Sequence, residues 1–288
     1  MARNQHAVIW TQISGKPQKM GDLLLSTDQS AFTYLPEYLE TELPGFCLLG
    51  DNSLWQSDTV TYPISERIPV FPRLISLIPG NNPRNLQRRH YIDLLRAQQG
   101  REPAPGLDTE WRLLVTGGHG GIGHIDVFSD DITAQNWYQP NAHSQHELML
   151  NASGNRSQLW GMLKHNVLDE NVEFNPQIIE ETLGPTPSVG GMIPKLLVSM
   201  NPNETAVNFY PPDTPDNTEV VLKIEPPEYS GLLDLEALCL DIHQQSGFDV
   251  PNYQRIDNDG LKFLAVERFD RQQGIRVPME SLFSVIAT

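Results

Sequence analysis

The chain has 288 residues, enough for about two domains at ~100–200 residues each. Its 39% hydrophobic and 19% charged residues are the balance of a globular protein with ample material for a core. With 36 acidic against 20 basic residues the formal charge is −16, which repels phosphate backbones and argues against direct nucleic-acid binding. A basic partner, or a partner that itself contacts nucleic acid, stays open. No run approaches the ~18–20 apolar residues of a membrane span. "MARNQHAVIWTQ" at the N-terminus lacks the apolar core of a signal peptide, so the expectation is a cytoplasmic protein with no membrane partner. Cys47 and Cys239 are too few and too far apart for a disulfide framework or a cysteine zinc site; both read as buried small apolar residues.

In chain order, the first segment reads as short strands, "AVIWTQ", "DLLLS" and "AFTYLP", separated by Gly, Pro and Asp turns. "NPRNLQRRHYIDLLRAQQG" (82–100) reads as a helix with Ile92, Leu94 and Leu95 along one side and Gly100 as its stop. The Pro/Gly-rich, acidic "REPAPGLDTE" (101–110) reads as a boundary, dividing the chain into a strand-rich domain at 1–108 and a second domain at 109–288. "WRLLVTGG" and "HIDVFS" read as strands around a glycine cluster, and a helix-like piece falls near 155–169. Further on, "MIPKLLVSM" and "VVLKIE" (220–225) read as strands, with a short strand in the Asn/Pro-rich connection between them. "LLDLEALCLDIHQQSG" (232–247) reads as a helix with Leu235, Leu238 and Ile242 on one face and Gly247 at its C-terminal cap. "YQRIDNDGLKFLAVERFD" reads as a hairpin turning at Asn258-Asp259-Gly260.

Two features mislead. "GHGGIG" (118–123) matches Gly-x-Gly-x-x-Gly, but a dinucleotide site needs a helix directly after it, and "HIDVF" alternates as a strand does. A hairpin turn is the better reading. His119, His124, His143 and His146, with Glu147, suggest a metal; yet "HSQHE" lacks the zincin spacing, and all four read as solvated loop histidines.

From 188 onward four features stand in a fixed order: Gly190-Gly191 with Lys195, then Lys223 in a strand, then Glu236 in a helix, then "ERFDR" (267–271) at the end of a hairpin. A glycine turn lets backbone N–H groups approach phosphate oxygens with no Cβ in the way. A strand lysine pairs with phosphates, and a helix glutamate holds that lysine in position. Singly, each has a plain structural reading as a turn, a solvated lysine or a solvated glutamate. In this order they describe the small lobe of a protein kinase.

The runs "SVGGMIPKLLVSM", "TEVVLKIEPPEYSGLLDLEALCLDIHQQSGFDVP" and "LKFLAVERFDRQQGIRV" resemble the HipA family of bacterial toxin-type serine/threonine kinases, and the N-terminal strands are similar to that family's leading domain. The resemblance is thinnest over 120–185. It implies an α+β fold: a small strand-rich N-terminal domain, then a protein-kinase-like N-lobe, truncated before the large helical lobe. Carried over residue by residue, it implies that Ser188 is autophosphorylated and that Val189, Gly190, Gly191, Met192, Ile193, Pro194 and Lys195 form the phosphate loop. It further implies that Lys223 pairs with the nucleotide and that the hinge Glu267, Arg268 and Phe269 contacts adenine. Glu236 as the ion-pair partner of Lys223 follows from kinase logic.

The departures are equally specific. Met192-Ile193-Pro194 fills the middle of the loop, and Pro194 removes a backbone donor. Arg276-Val277-Pro278 replaces the family's Arg-Ile/Leu-His. The catalytic Asp-x-x-x-x-Asn loop and the metal-binding Asp have no counterpart before Thr288, so no catalytic residue is expected in this chain, which would be inactive alone. The resulting expectation is the ATP-binding part of a kinase that uses ATP and magnesium on a protein substrate, such as an aminoacyl-tRNA synthetase, with a HipB-like DNA-binding antitoxin as partner. The alternative is a non-catalytic module that acts on a partner kinase or antitoxin.

Overall fold

The computed structural model describes residues 4–49, 57–81, 85–139, 193–201, 209–210, 216–258, 261–272 and 275–287. The fold is α+β and divides into two compact units. The first gathers Met1–Pro79, Leu95–Ala142 and Asp270–Thr288; the second gathers Gly80–Leu94 and His143–Phe269.

The first unit is built on a five-stranded antiparallel sheet in the order β4-β3-β2-β1-β5. Its strands are β1 (Gln5–Thr11), β2 (Gln18–Leu25), β3 (Gln29–Tyr34), β4 (Thr59–Pro63) and β5 (Asp126–Phe128). On β2, Leu23 and Leu25 are buried while Leu24 is exposed, the period-2 signature of a half-covered sheet. On central β1, Ala7, Val8 and Ile9 are all buried, because Val8 meets Phe128 and Ala134 on the face opposite the main core. That core is aromatic: Phe32 stacks on Phe46, and Phe46 meets Phe71 edge to face.

The helices of this unit include α1 (Pro36–Leu39) and α2 (Pro72–Ile75). The helix α3 (Leu86–Gln99) follows, its residues to Leu94 counted with the second unit, and then α4 (Leu107–Gly117) and α5 (Asp131–Trp137). Buried polar groups tie distant parts of the chain. Asp126 accepts from Arg276 Nη1 at 2.6 Å, from Gly120 N at 2.7 Å and from the Tyr138 hydroxyl. Burial pushes the Asp126 carboxyl up, but the Arg276 charge and these bonds more than offset it and hold it below the usual range.

The second unit holds an antiparallel sheet in the order β7-β6-β8-β10-β9. Its strands are β6 (Lys195–Met200), β7 (Phe209–Tyr210), β8 (Thr218–Ile224), β9 (Tyr253–Asn258) and β10 (Leu261–Glu267). Leu196, Val198, Val220, Leu222, Ile224, Phe263 and Ala265 form one face's core. On the other face lies α6 (Leu232–Gln245), seated through Leu233 and Ala237 on Leu264. Short strands β11 (Arg271–Gln272) and β12 (Ile275–Arg276) and helix α7 (Leu282–Ala287) follow and belong to the first unit.

Several sequence expectations need correction. "WRLLVTGG" is helix α4, not a strand: Asp108 and Glu110 sit in its first turn, Arg112 bonds Asp108 one turn back, and Trp111, Leu113 and Leu114 are buried. A short apolar run cannot distinguish the two by itself. "GHGGIG" is therefore a helix-to-strand connection, not a hairpin turn, with Gly120 and Gly123 at φ of 70° and 92°. His119 and His124 are buried, not solvated: His119 stacks on Phe128, and His124 Nε2 lies 3.0 Å from the Gly45 carbonyl oxygen. Cys47 is buried, but Cys239 is exposed. On α6, Leu235, Leu238 and Ile242 are exposed, and the packed face is that of Leu233 and Ala237. The helix expected near 155–169 lies outside the described residues, as do His143, His146 and Glu147.

Candidate functional site

Strand β8 alternates Val220, Leu222 and Ile224 into the core, so Val221 and Lys223 point to the face that carries α6. In register, Lys223 stands opposite Leu264 of β10 and opposite Lys195 of β6. Directly opposed residues share a sheet face, so both lysines stand on the side of α6. That helix supplies the counter-charge: Lys223 Nζ donates to Glu236 Oε1, the two side chains being partly exposed. Glu225, just past β8 and buried, accepts from Leu233 N at 3.0 Å and so caps the start of α6. A carboxylate there satisfies a free N–H and complements the helix dipole. This cap fixes where Glu236 falls along the strand.

Lys195 is half-buried. Burial first, and the neighbouring Lys223 charge second, lower its pKa, partly offset by Glu236. The two ammonium groups stand together with Glu236 on one face of the sheet of a protein whose formal total charge is −16. Chemically, the arrangement suits an anionic group such as phosphate.

The end of β10 is tied twice. Glu267 N donates to Asn252 O at 2.8 Å, and Arg268 N donates to Glu219 O at 2.9 Å. The Arg268 guanidinium, almost fully buried, bonds Glu219 Oε2 at 2.9 Å. Asn252 Nδ2 reaches Glu267 Oε2 at 2.5 Å. Phe269, the next residue, is 64% exposed, its ring open to a ligand. Glu219 and Asn252 carry no sequence signal; only the strand pairing brings them to 267–268.

The structure thus brings Lys195, Lys223 and Glu236 together on one face and places Glu267, Arg268 and Phe269 at the end of the neighbouring strand. Ile193 is half-buried and Pro194 buried, with Pro194 O accepting from Ile224 N at 2.9 Å. Ser188, Val189, Gly190, Gly191 and Met192 lie outside the described residues. Among the described residues, no group of three or more His, Cys, Asp or Glu side chains is placed to hold a metal ion. No helix among them is long and apolar enough to cross a membrane.

An α+β protein with a paired lysine and glutamate between strand and helix is the class that fold and site define. Residues 187–288 match the family model of the HipA-like C-terminal domain, and this supports a HipA-family protein. That family is known for kinase toxins of toxin–antitoxin systems. No curated protein matches the chain.

Proposed function

We propose that the second unit binds ATP as the nucleotide-binding part of a HipA-like serine/threonine kinase. The observation that carries this reading is the Lys223–Glu236 pair with Lys195 directly opposite. Lys223 meets the α/β-phosphates, and Glu236 keeps its ammonium in place through the strand-to-helix step. Lys195 closes the phosphate loop that starts at Val189, and it adds a second cation toward the same phosphates. The hinge is Glu267 to Phe269. Because the Glu267 and Arg268 amides are already bonded within the fold, adenine recognition falls to other groups, among them the exposed Phe269 ring.

The two lysines fit a polyphosphate. Magnesium finds no acidic cluster among the described residues, so no step through it is assigned to these residues. ATP bound with its metal supplies the phosphoryl group; the chain's own residues bind and orient it. Within this reading the acceptor is a protein, Ser188 takes a regulatory phosphate, and the partner is a DNA-binding antitoxin. The protein works in the cytoplasm.

Titration calorimetry of the full chain with Mg-ATP tests the reading, with Lys223→Ala as control. Binding lost in that variant is the expected result. Equal affinity in both proteins overturns the nucleotide assignment. In a protein that also carries the large catalytic lobe, peptide mass spectrometry after incubation with ATP examines Ser188, where phosphate is expected and a consistently bare serine counts against the regulatory role.

A second reading is favoured by Pro194, which removes one backbone donor from the loop. In it nucleotide binding is weakened or lost, and the chain acts as a non-catalytic regulatory module on a kinase or antitoxin. Mg-ATP affinity that is weak or absent and unchanged by Lys223→Ala is its signature.

A further inference from the structure

Gln87 is 2% exposed, and its Nε2 donates to the Lys195 carbonyl oxygen at 2.6 Å, across 108 positions of sequence. It sits in the first turn of α3, and Asn85 secures that turn by accepting from Arg88 N at 2.9 Å. Segment Gly80–Leu94 packs within the second unit although it precedes that unit's sheet by a hundred residues. It also lies outside the 187–288 family match.

The strand geometry explains why this bond exists. Pro194 O is taken by Ile224 N on β8. On an antiparallel strand the next residue's carbonyl points the opposite way, here toward the far edge of β6. Along that edge, among the described residues, β7 pairs with Ser199 and Met200 at the other end of β6 from Lys195. Gln87, itself buried, gives that carbonyl a donor from its side chain.

We propose that Gln87 is a positioning residue for the lysine pair: it pins the backbone of Lys195 and thereby holds that ammonium opposite Lys223. The proposal rests on the nucleotide reading above. Gln87 touches neither phosphate nor adenine in it; it acts through Lys195.

A double-mutant cycle in the full chain tests this, using Gln87→Met, which keeps the side-chain length and removes the donor. Gln87→Met weakens Mg-ATP binding about five- to tenfold in the otherwise natural chain, the loss expected for one hydrogen bond. In a Lys195→Ala background the same change costs less than about twofold, because the ammonium it positions is gone. An equal factor in both backgrounds, or no effect in either, overturns the proposal. Should Gln87→Met not fold, Gln87→Glu, without a donor when ionised, takes its place.

Hydrogen exchange at the Lys195–Val198 amides separates this from failure of the nucleotide reading. If the natural chain binds no ATP, faster exchange at those amides in the Gln87 variant still supports the anchoring of Lys195. Unchanged exchange there overturns it.

Discussion

Lys195 and Lys223 stand directly opposite each other on β6 and β8, and Lys223 is bonded to Glu236 through Nζ. Two like charges on one face repel, and an anion held between or above them would offset that repulsion. A polyphosphate is the proposed one. Lys223→Ala is expected to weaken Mg-ATP binding by about 10- to 100-fold, the loss of a hydrogen bond to a charged group. Folding stability should fall by no more than about 1 kcal/mol, because the pair is partly exposed. Calorimetry and thermal unfolding of the same preparations check both halves.

Asp126 predicts the opposite balance. It is fully buried against Arg276, which is 5% exposed, and removing its charge takes this counter-charge from a buried guanidinium. Asp126→Asn should cost about 3–5 kcal/mol in urea unfolding. Arg112→Ala, which breaks only the exposed pair with Asp108, should stay within about 0.5 kcal/mol.

Acid should destabilise both units through buried histidines. Burial, with the Arg73 charge, pushes His124 down to about 4 from an ordinary 6.5. Burial does the same to His90, whose Nδ1 has no hydrogen-bond partner among the described residues. Each fold therefore holds the neutral ring. The stability this represents is complete above pH 6.5 and is lost as the pH falls toward 4, while the unfolded chain binds the extra proton. The slope is on the order of 1 kcal/mol per pH unit for each ring. Urea midpoints measured across that range should fall steadily, and His90→Leu should flatten the second unit's share.

The two faces of α6 make a fourth prediction. Leu233 packs on Leu264, and Leu233→Ala should cost about 2–5 kcal/mol. Leu235 and Ile242 are 60% and 53% exposed, and either changed to Gln should alter stability by about 0.5 kcal/mol or less. Chemical unfolding of the three variants distinguishes the packed face from the open one.

Helix α6 also shows where sequence reasoning stops. Leu235, Leu238 and Ile242 form a clean apolar stripe, yet Leu233 and Ala237 do the packing. Periodicity reports that a helix has an apolar face; it does not report which face meets a sheet when several positions qualify. In α4 the ambiguity is of type, since the short apolar run Leu113–Val115 fits strand or helix and only the packing of Trp111 and Leu114 resolves it. His119 and His124 read as loop residues because their neighbours are Gly and Asp, but the fold closes over that loop.

Local chemistry carries what was legible. The alternation in β3 and β8, the Asn258-to-Leu261 pairing of β9 with β10, and the order Lys195, Lys223, Glu236 all follow from residues near one another in sequence. The opposition of Lys195 and Lys223 follows from register, which strand pairing sets and no single strand contains. The bonds Gln87–Lys195, Arg276–Asp126 and Arg268–Glu219 join residues 108, 150 and 49 positions apart. Residue types alone determined that this chain carries a lysine strand and a glutamate helix. Tertiary structure decided which carbonyls, carboxylates and charges were buried together, because a buried polar group must find its partner wherever the chain brings one.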